Sequence, residues 1–151
     1  MAYVNSIDAP YYPNLVAFVE NDLADVPNKS TIFREFKKYA EYSDLRAKSV
    51  FWWFMNPIIQ IEPLKDAWAL YRPESPWSIY VDKDWAKRFE KDVVQPLLTA
   101  KAKLLMEACI LHEMCHRGDW ADGVKQSVEV GEEFEIAAYG AVQDQYWVGP
   151  T

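Results

Sequence analysis

Leu15, Val16, Phe18, Val19 and Leu23 return every three or four positions, which predicts an amphipathic helix over 13–24 with Pro13 in its first turn. Pro27 and Asn28 end it. Ser30 then predicts the cap of a second helix over 30–42, with Ile32, Phe33, Phe36 and Tyr39 on its buried face. Residues 49–55 are apolar without a period, so strand and helix both stay open there. Residues 58–61 form a short β-type run between prolines, and the run Trp77-Ser-Ile-Tyr-Val81 predicts a better strand.

The second half reads more strongly. Asp82 or Asp84 predicts the cap of a short helix over 85–91. After Pro96, Leu98, Leu105, Ala108 and Leu111 predict a long helix over 97–117, which Gly118 terminates. A loop over 119–131 and a last helix over 132–146 follow. No internal repeat and no linker-like stretch divides the chain. The pattern predicts one α+β domain over 1–151, mainly helical with a small sheet.

Composition narrows the function classes. With 15% aromatic residues, 151 positions can build a packed core. A net charge of −7 and no run of Lys and Arg exclude nucleic acid as a partner and disfavour an anionic membrane surface. The longest apolar stretch, over 50–59, is broken by Asn56 and Pro57, so no membrane insertion is expected. The N-terminus has neither a basic region nor an apolar one, so a secretory signal of the usual form is not expected. Cys109 and Cys115 fall six apart on one helix, on opposing faces, too far for a mutual disulfide. That pattern suits a reducing compartment.

The two histidines of the chain share one pentapeptide, His112-Glu113-Met114-Cys115-His116. In a helix, residues four apart lie one turn apart on the same face. Two imidazoles so placed can hold one Zn2+, and the glutamate between them can take a proton from a zinc-bound water. Cys109 reads as core, and Cys115, about 100° of helix from its neighbour His116, is a poor ligand candidate. A catalytic zinc takes a third protein ligand. Glu135, nineteen positions after His116, competes for that place with its neighbours Glu132 and Glu133 and with Asp122, six positions after His116. Glu132 would share a helix face with Glu135 and is also a candidate partner for a ligand histidine. Asp119 would reach the ligand face if the helix continued, and Trp120 reads as packing beside the site. Tyr139, four residues after Glu135, is the candidate donor to a developing oxyanion, with half-buried packing as the other reading.

The motif followed by a helical glutamate resembles the thermolysin-like zincins, the two-His-one-Glu class. That resemblance implies that His112, His116 and Glu135 bind zinc while Glu113 acts as general base. The metzincin pattern fits less well, because Asp119 stands where that pattern needs glycine and Gly118 comes one place early.

A closer resemblance rests on residues 112–140, His-Glu-Met-Cys-His-Arg-Gly-Asp-Trp-Ala-Asp-Gly and then Gly-Glu-Glu-Phe-Glu-Ile-Ala-Ala-Tyr-Gly, together with the strand-then-helix run over 78–90. These are similar to small zincin-like metallopeptidase toxin domains of bacterial effectors, some of them attached to spike proteins of type VI secretion systems. The resemblance implies a zincin-like domain with the motif on a long active-site helix. It also implies an antibacterial zinc metallopeptidase, made in the cytoplasm and delivered to the target-cell periplasm. Its partners would be a peptide or protein substrate of the cell envelope, an immunity protein and a secretion spike protein. Two other readings stay open: a zinc amidase or endopeptidase acting on peptidoglycan, and a degenerate zincin that serves as an interaction module. An intact Glu113 argues against the last.

Overall fold

Apolar runs too short for a helix assemble into a four-stranded sheet. Its strands are β1 (Tyr3–Val4), β2 (Ile58–Glu62), β3 (Ala69–Tyr71) and β4 (Ser78–Asp82), in the order β1-β2-β4-β3. The computed structural model describes residues 2–52, 57–121, 123 and 129–143. Strands β1, β2 and β4 run parallel, with Ile59 opposite Ile79, and β3 pairs antiparallel with β4 at the edge, with Leu70 opposite Tyr80. Central β4 is buried from Ser78 to Val81, which is why that segment reads as continuous apolar sequence rather than alternating.

Helices α1 (Pro13–Ala17), α2 (Ser30–Ala40), α3 (Asp44–Trp52), α4 (Lys83–Asp92), α5 (Thr99–Ala121) and α6 (Val130–Tyr139) complete the α+β domain. Phe36 is fully buried where α2, α3 and α6 meet, and its ring packs edge-on against Phe51 at 5.4 Å, Tyr42 at 5.8 Å and Phe134 at 6.3 Å. Edge-on aromatic packing adds directional preference to the burial of apolar area, and it holds α6 in place beside α5.

Several elements differ from expectation for local reasons. The helix expected over 13–24 is α-helical only to Ala17. It loosens to a π turn over Phe18–Asp22 and tightens to a 3-10 turn over Leu23–Asn28 that accommodates Pro27. Ser30 is the first residue of α2 rather than its cap; Lys29 holds that place without a side-chain bond. The aromatic segment is helical through Trp52, and its residues 53–55 lie outside the described ones. Asp82 caps α4 as expected, accepting from the N–H groups of Asp84 and Trp85. The last helix ends at Tyr139, seven residues short of the expected end, and is capped by Gly140, whose φ of 89° is the left-handed conformation that glycine adopts without strain.

The consequential difference is Gly118. It does not end α5, which continues to Ala121. A Cβ at position 118 would lie 2.1 Å from the Ala40 carbonyl oxygen, so the glycine is there to let the end of α2 touch the α5 backbone. Edge strand β3, absent from the sequence pattern, is three residues long and packs along α5 beside the histidines.

Candidate metal centre

The middle of α5 is lined by Met106, Ile110, Leu111, Met114 and Cys115, all fully buried. His112, Glu113 and His116 occupy the face left over, half-buried, with the two imidazole centroids 5.2 Å apart. The helical spacing alone sets that pair.

Glu129 completes the group. Its Oε2 caps α6, accepting from the N–H of Gly131 at 3.1 Å and of Glu132 at 3.2 Å. Its Oε1 faces both histidines, 2.5 Å from His116 Nε2 and 3.6 Å from His112 Nε2. One ligand atom of each of His112, His116 and Glu129 lies within 4.8 Å of the others. A tetrahedral zinc with bonds of about 2.0–2.2 Å needs ligand atoms roughly 3.4 Å apart, so the three groups fit a zinc ion with small adjustments. Gly131 makes this approach possible, since a Cβ there would stand 2.3 Å from His112 Nε2.

Glu135, the third ligand implied by resemblance, lies on the other side of His112. Its Oε1 is 3.6 Å from Nδ1, and its Oε2 is buried with no hydrogen-bond partner among the described residues. The cause is the angle at which α6 meets α5: the residue before the helix reaches over Nε2, and the residue a turn and a half later passes behind the ring. Glu129 was missed because it falls in the segment read as a loop. The available signal was an acidic residue two positions ahead of Gly131, at the start of a helix whose amide groups need a cap. Glu132 and Glu133 are exposed, and only Glu132 lines the cavity beside the histidines. Asp122 lies outside the described residues. Asp119 is on the continued helix, 2% exposed, and its charge acts on His116. Each histidine thus has a buried carboxylate near it.

Tyr139 does not face this group. Its hydroxyl is buried beside Glu107, and its ring packs on Phe134 at 5.8 Å. Burial and the neighbouring carboxylates push its phenol well above its usual value. Glu107 in turn pairs with Lys29 at 2.9 Å. Cys115 is fully buried, and burial pushes its thiol well up, which leaves it unreactive. Cys109, expected in the core, instead lines the cavity.

Glu113 is held from outside its helix. The backbone N–H of Tyr71, on edge strand β3, donates to its Oε2 at 2.8 Å. That leaves Oε1 on the histidine side, 3.7 Å from His112 Nε2. Burial pushes the Glu113 carboxyl up to about 7, against the charge of His112 and the Tyr71 bond. Burial disfavours the charged His112 ring, yet the Glu129 and Glu135 carboxylates and the Glu113 charge outweigh it and hold His112 up to about 10. Burial, helped by the charge of His112, lowers His116. Burial also opposes the Glu129 charge, but bonds from His112 and the Glu132 N–H pull it down to about 2. The carboxylates around His112 therefore favour a proton there, while burial disfavours a charged ring at His116.

These groups open on a cavity of about 300 Å3 that Asp66, Trp68, Glu129 and Glu132 also line. Two histidines and a carboxylate, beside a glutamate whose carboxyl is pushed up to about 7, form a group that could hold a metal ion. The family model of metallopeptidase toxin 3 matches residues 8–140. The chain belongs to that family. No curated protein and no solved structure matches it. Membership in the family implies a metal-dependent peptidase domain of a toxin, and the match takes in both the motif helix and the first half of the chain, where the sequence shows no motif. No helix among the described residues is long and apolar enough to cross a membrane.

Proposed function

We propose that this domain is a zinc metallopeptidase in which His112, His116 and Glu129 hold the metal, Glu113 is the general base and Glu135 orients His112. The carrying observation is that Glu129 Oε1 faces the Nε2 atoms of both histidines while the base sits on the same side. A bound zinc would lower the pKa of a water and polarise the carbonyl of the scissile bond. Glu113 Oε1 accepts the proton of the attacking water, while the Tyr71 N–H fixes the other carboxylate oxygen. The same carboxyl, held near 7, then returns the proton to the leaving amine. Glu135 keeps the proton of His112 on Nδ1, so that Nε2 presents its lone pair. With Tyr139 turned to Glu107, a bound metal would supply the stabilisation of charge developing on the carbonyl oxygen.

As a toxin-family peptidase, the domain acts on a peptide or protein of the target-cell envelope after delivery by a type VI system, with an immunity protein protecting the producer. Glu113→Gln keeps the ligand set and removes the base. Zinc is expected at one equivalent in both proteins, with peptide cleavage and periplasmic toxicity lost in the variant. Normal cleavage by Glu113→Gln would overturn the role of Glu113, and absence of bound zinc in the wild type would overturn the metal reading.

A further inference from the structure

Strand β3 joins two cavities of opposite character. Ala69 lines the acidic one beside the histidines, whose lining holds no Lys or Arg among the described residues. Tyr71 lines a second, of about 240 Å3, with Arg46, Trp77, Arg117 and Trp120; among the described residues no carboxylate lines that one, although the charge of Glu74 reaches Tyr71. In a chain with 16 basic and 23 acidic residues, a cleft whose described lining has two guanidiniums and no acid is a local reversal of charge.

Both guanidiniums are held by neutral partners. Arg117 donates from Nε to the Pro76 carbonyl at 2.8 Å and from Nη1 to the Tyr42 hydroxyl at 3.2 Å. Arg46 lies over the Tyr42 ring, 5.0 Å from its centroid. Neither has a carboxylate partner among the described residues. The walls are aromatic and open to solvent, with Trp77 61% and Trp120 48% exposed. An arginine fixed by neutral groups keeps its charge and its remaining N–H donors for a ligand.

The cleft neighbours the face that carries Glu113, with Tyr71 between them. Glu113, Arg117 and Trp120 recur at i, i+4 and i+7, one stripe of α5 beside the stripe of His112 and His116. Tyr71 touches both places, its N–H on Glu113 and its side chain in the cleft wall. One helical turn is about 5.4 Å and an extended peptide advances about 3.3 Å per residue, so a group in the cleft belongs about two residues from the scissile bond.

We propose that this cleft is a substrate subsite for a carboxylate, supplied by an acidic side chain or by the C-terminus of the peptide, with Arg117 and Arg46 as its specificity-determining residues. The proposal rests on the metallopeptidase reading for the word substrate, and its geometry stands on the cleft alone. Trp77 and Trp120 cover the apolar part of the occupant, and the guanidiniums take its carboxylate.

Three hexapeptides of one neutral core test it: one with a glutamate and an amidated C-terminus, one without glutamate and with a free C-terminus, and one neutral and amidated. Binding is measured by calorimetry on the 151-residue Glu113→Gln chain with zinc, and turnover on the wild type. One or both carboxylate peptides are expected to bind about tenfold tighter than the neutral one, and which of them does so identifies the source. That advantage shrinks with added salt, and Arg117→Gln removes most of it through KM rather than kcat. Because Arg117 also holds Pro76 and Tyr42, exposed Arg46→Gln provides a second variant, expected to cost about threefold. Equal binding of all three peptides, or an advantage that survives both substitutions, overturns the subsite. Carboxylate preference in binding without any wild-type cleavage supports the subsite and sinks the peptidase reading. Cleavage of all three peptides with equal kcat/KM does the reverse.

Discussion

Helix α5 is approached twice through a glycine, and the two approaches have different uses. At Gly118 the missing side chain belongs to α5 itself and lets the end of α2 rest on its backbone. At Gly131 the missing side chain belongs to α6 and lets that helix start against the imidazole of His112. The first meets a carbonyl, which moves only if the whole of α2 moves. The second meets the end of a side chain, which can turn away. One close contact therefore holds the fold, and the other holds the geometry of the site.

Substitutions separate the two. Gly118→Ala puts its Cβ 2.1 Å from the Ala40 oxygen, so α2 and α5 must part. A loss of about 3 kcal/mol in chemical denaturation is expected, with zinc affinity per folded molecule little changed. Gly131→Ala puts its Cβ 2.3 Å from His112 Nε2, and the ring is expected to rotate off the ligand position. Here the fold should lose only about 1 kcal/mol while zinc affinity drops about 10- to 100-fold in a chelator competition. If Gly131→Ala cost stability and spared zinc binding, the contrast between the two contacts would be wrong.

A smaller effect follows from the charges at the second contact. His112 is held up to about 10 from 6.5, so the folded state keeps its proton more tightly than the unfolded chain does. The stability this adds is complete below pH 6.5 and is lost as pH rises through about 10. Glu113, raised to about 7 from 4.5, changes in the same sense, and its smaller contribution is lost as pH rises through about 7. Metal-stripped protein should therefore lose melting temperature between pH 7 and pH 10, and Glu135→Gln should flatten that slope. Zinc-loaded protein should not follow it, because the metal takes the place of the proton on Nε2 and keeps the imidazole neutral throughout that range.

The same contrast explains what could be read from the chain. His112, Glu113 and His116 were legible because one helix sets their spacing, and the strand at 78–82 and the cap at Asp82 were legible because each depends on neighbouring residues. Gly118 misled, since a glycine that ends a helix and one that admits another helix look alike until the partner is known. Glu129 and β3 were not legible for the same physical reason. A three-residue edge strand and a cap residue are defined by what they touch across the fold, His116 and Glu113, rather than by a period of their own. Glu135 carried the right chemical type and fell near the right histidine, but the crossing of α6 over α5 decides which nitrogen it meets.

Zinc affinity of Glu129→Gln beside that of Glu135→Gln, each measured by competition with a chromophoric chelator on folded protein, tests the central assignment most directly. Loss of a first carboxylate ligand should weaken binding about 1000-fold or more in Glu129→Gln, while loss of an orienting carboxylate should weaken it about 10- to 100-fold in Glu135→Gln. The opposite order, with Glu135→Gln the more damaging, would return the third ligand to Glu135 and contradict the account.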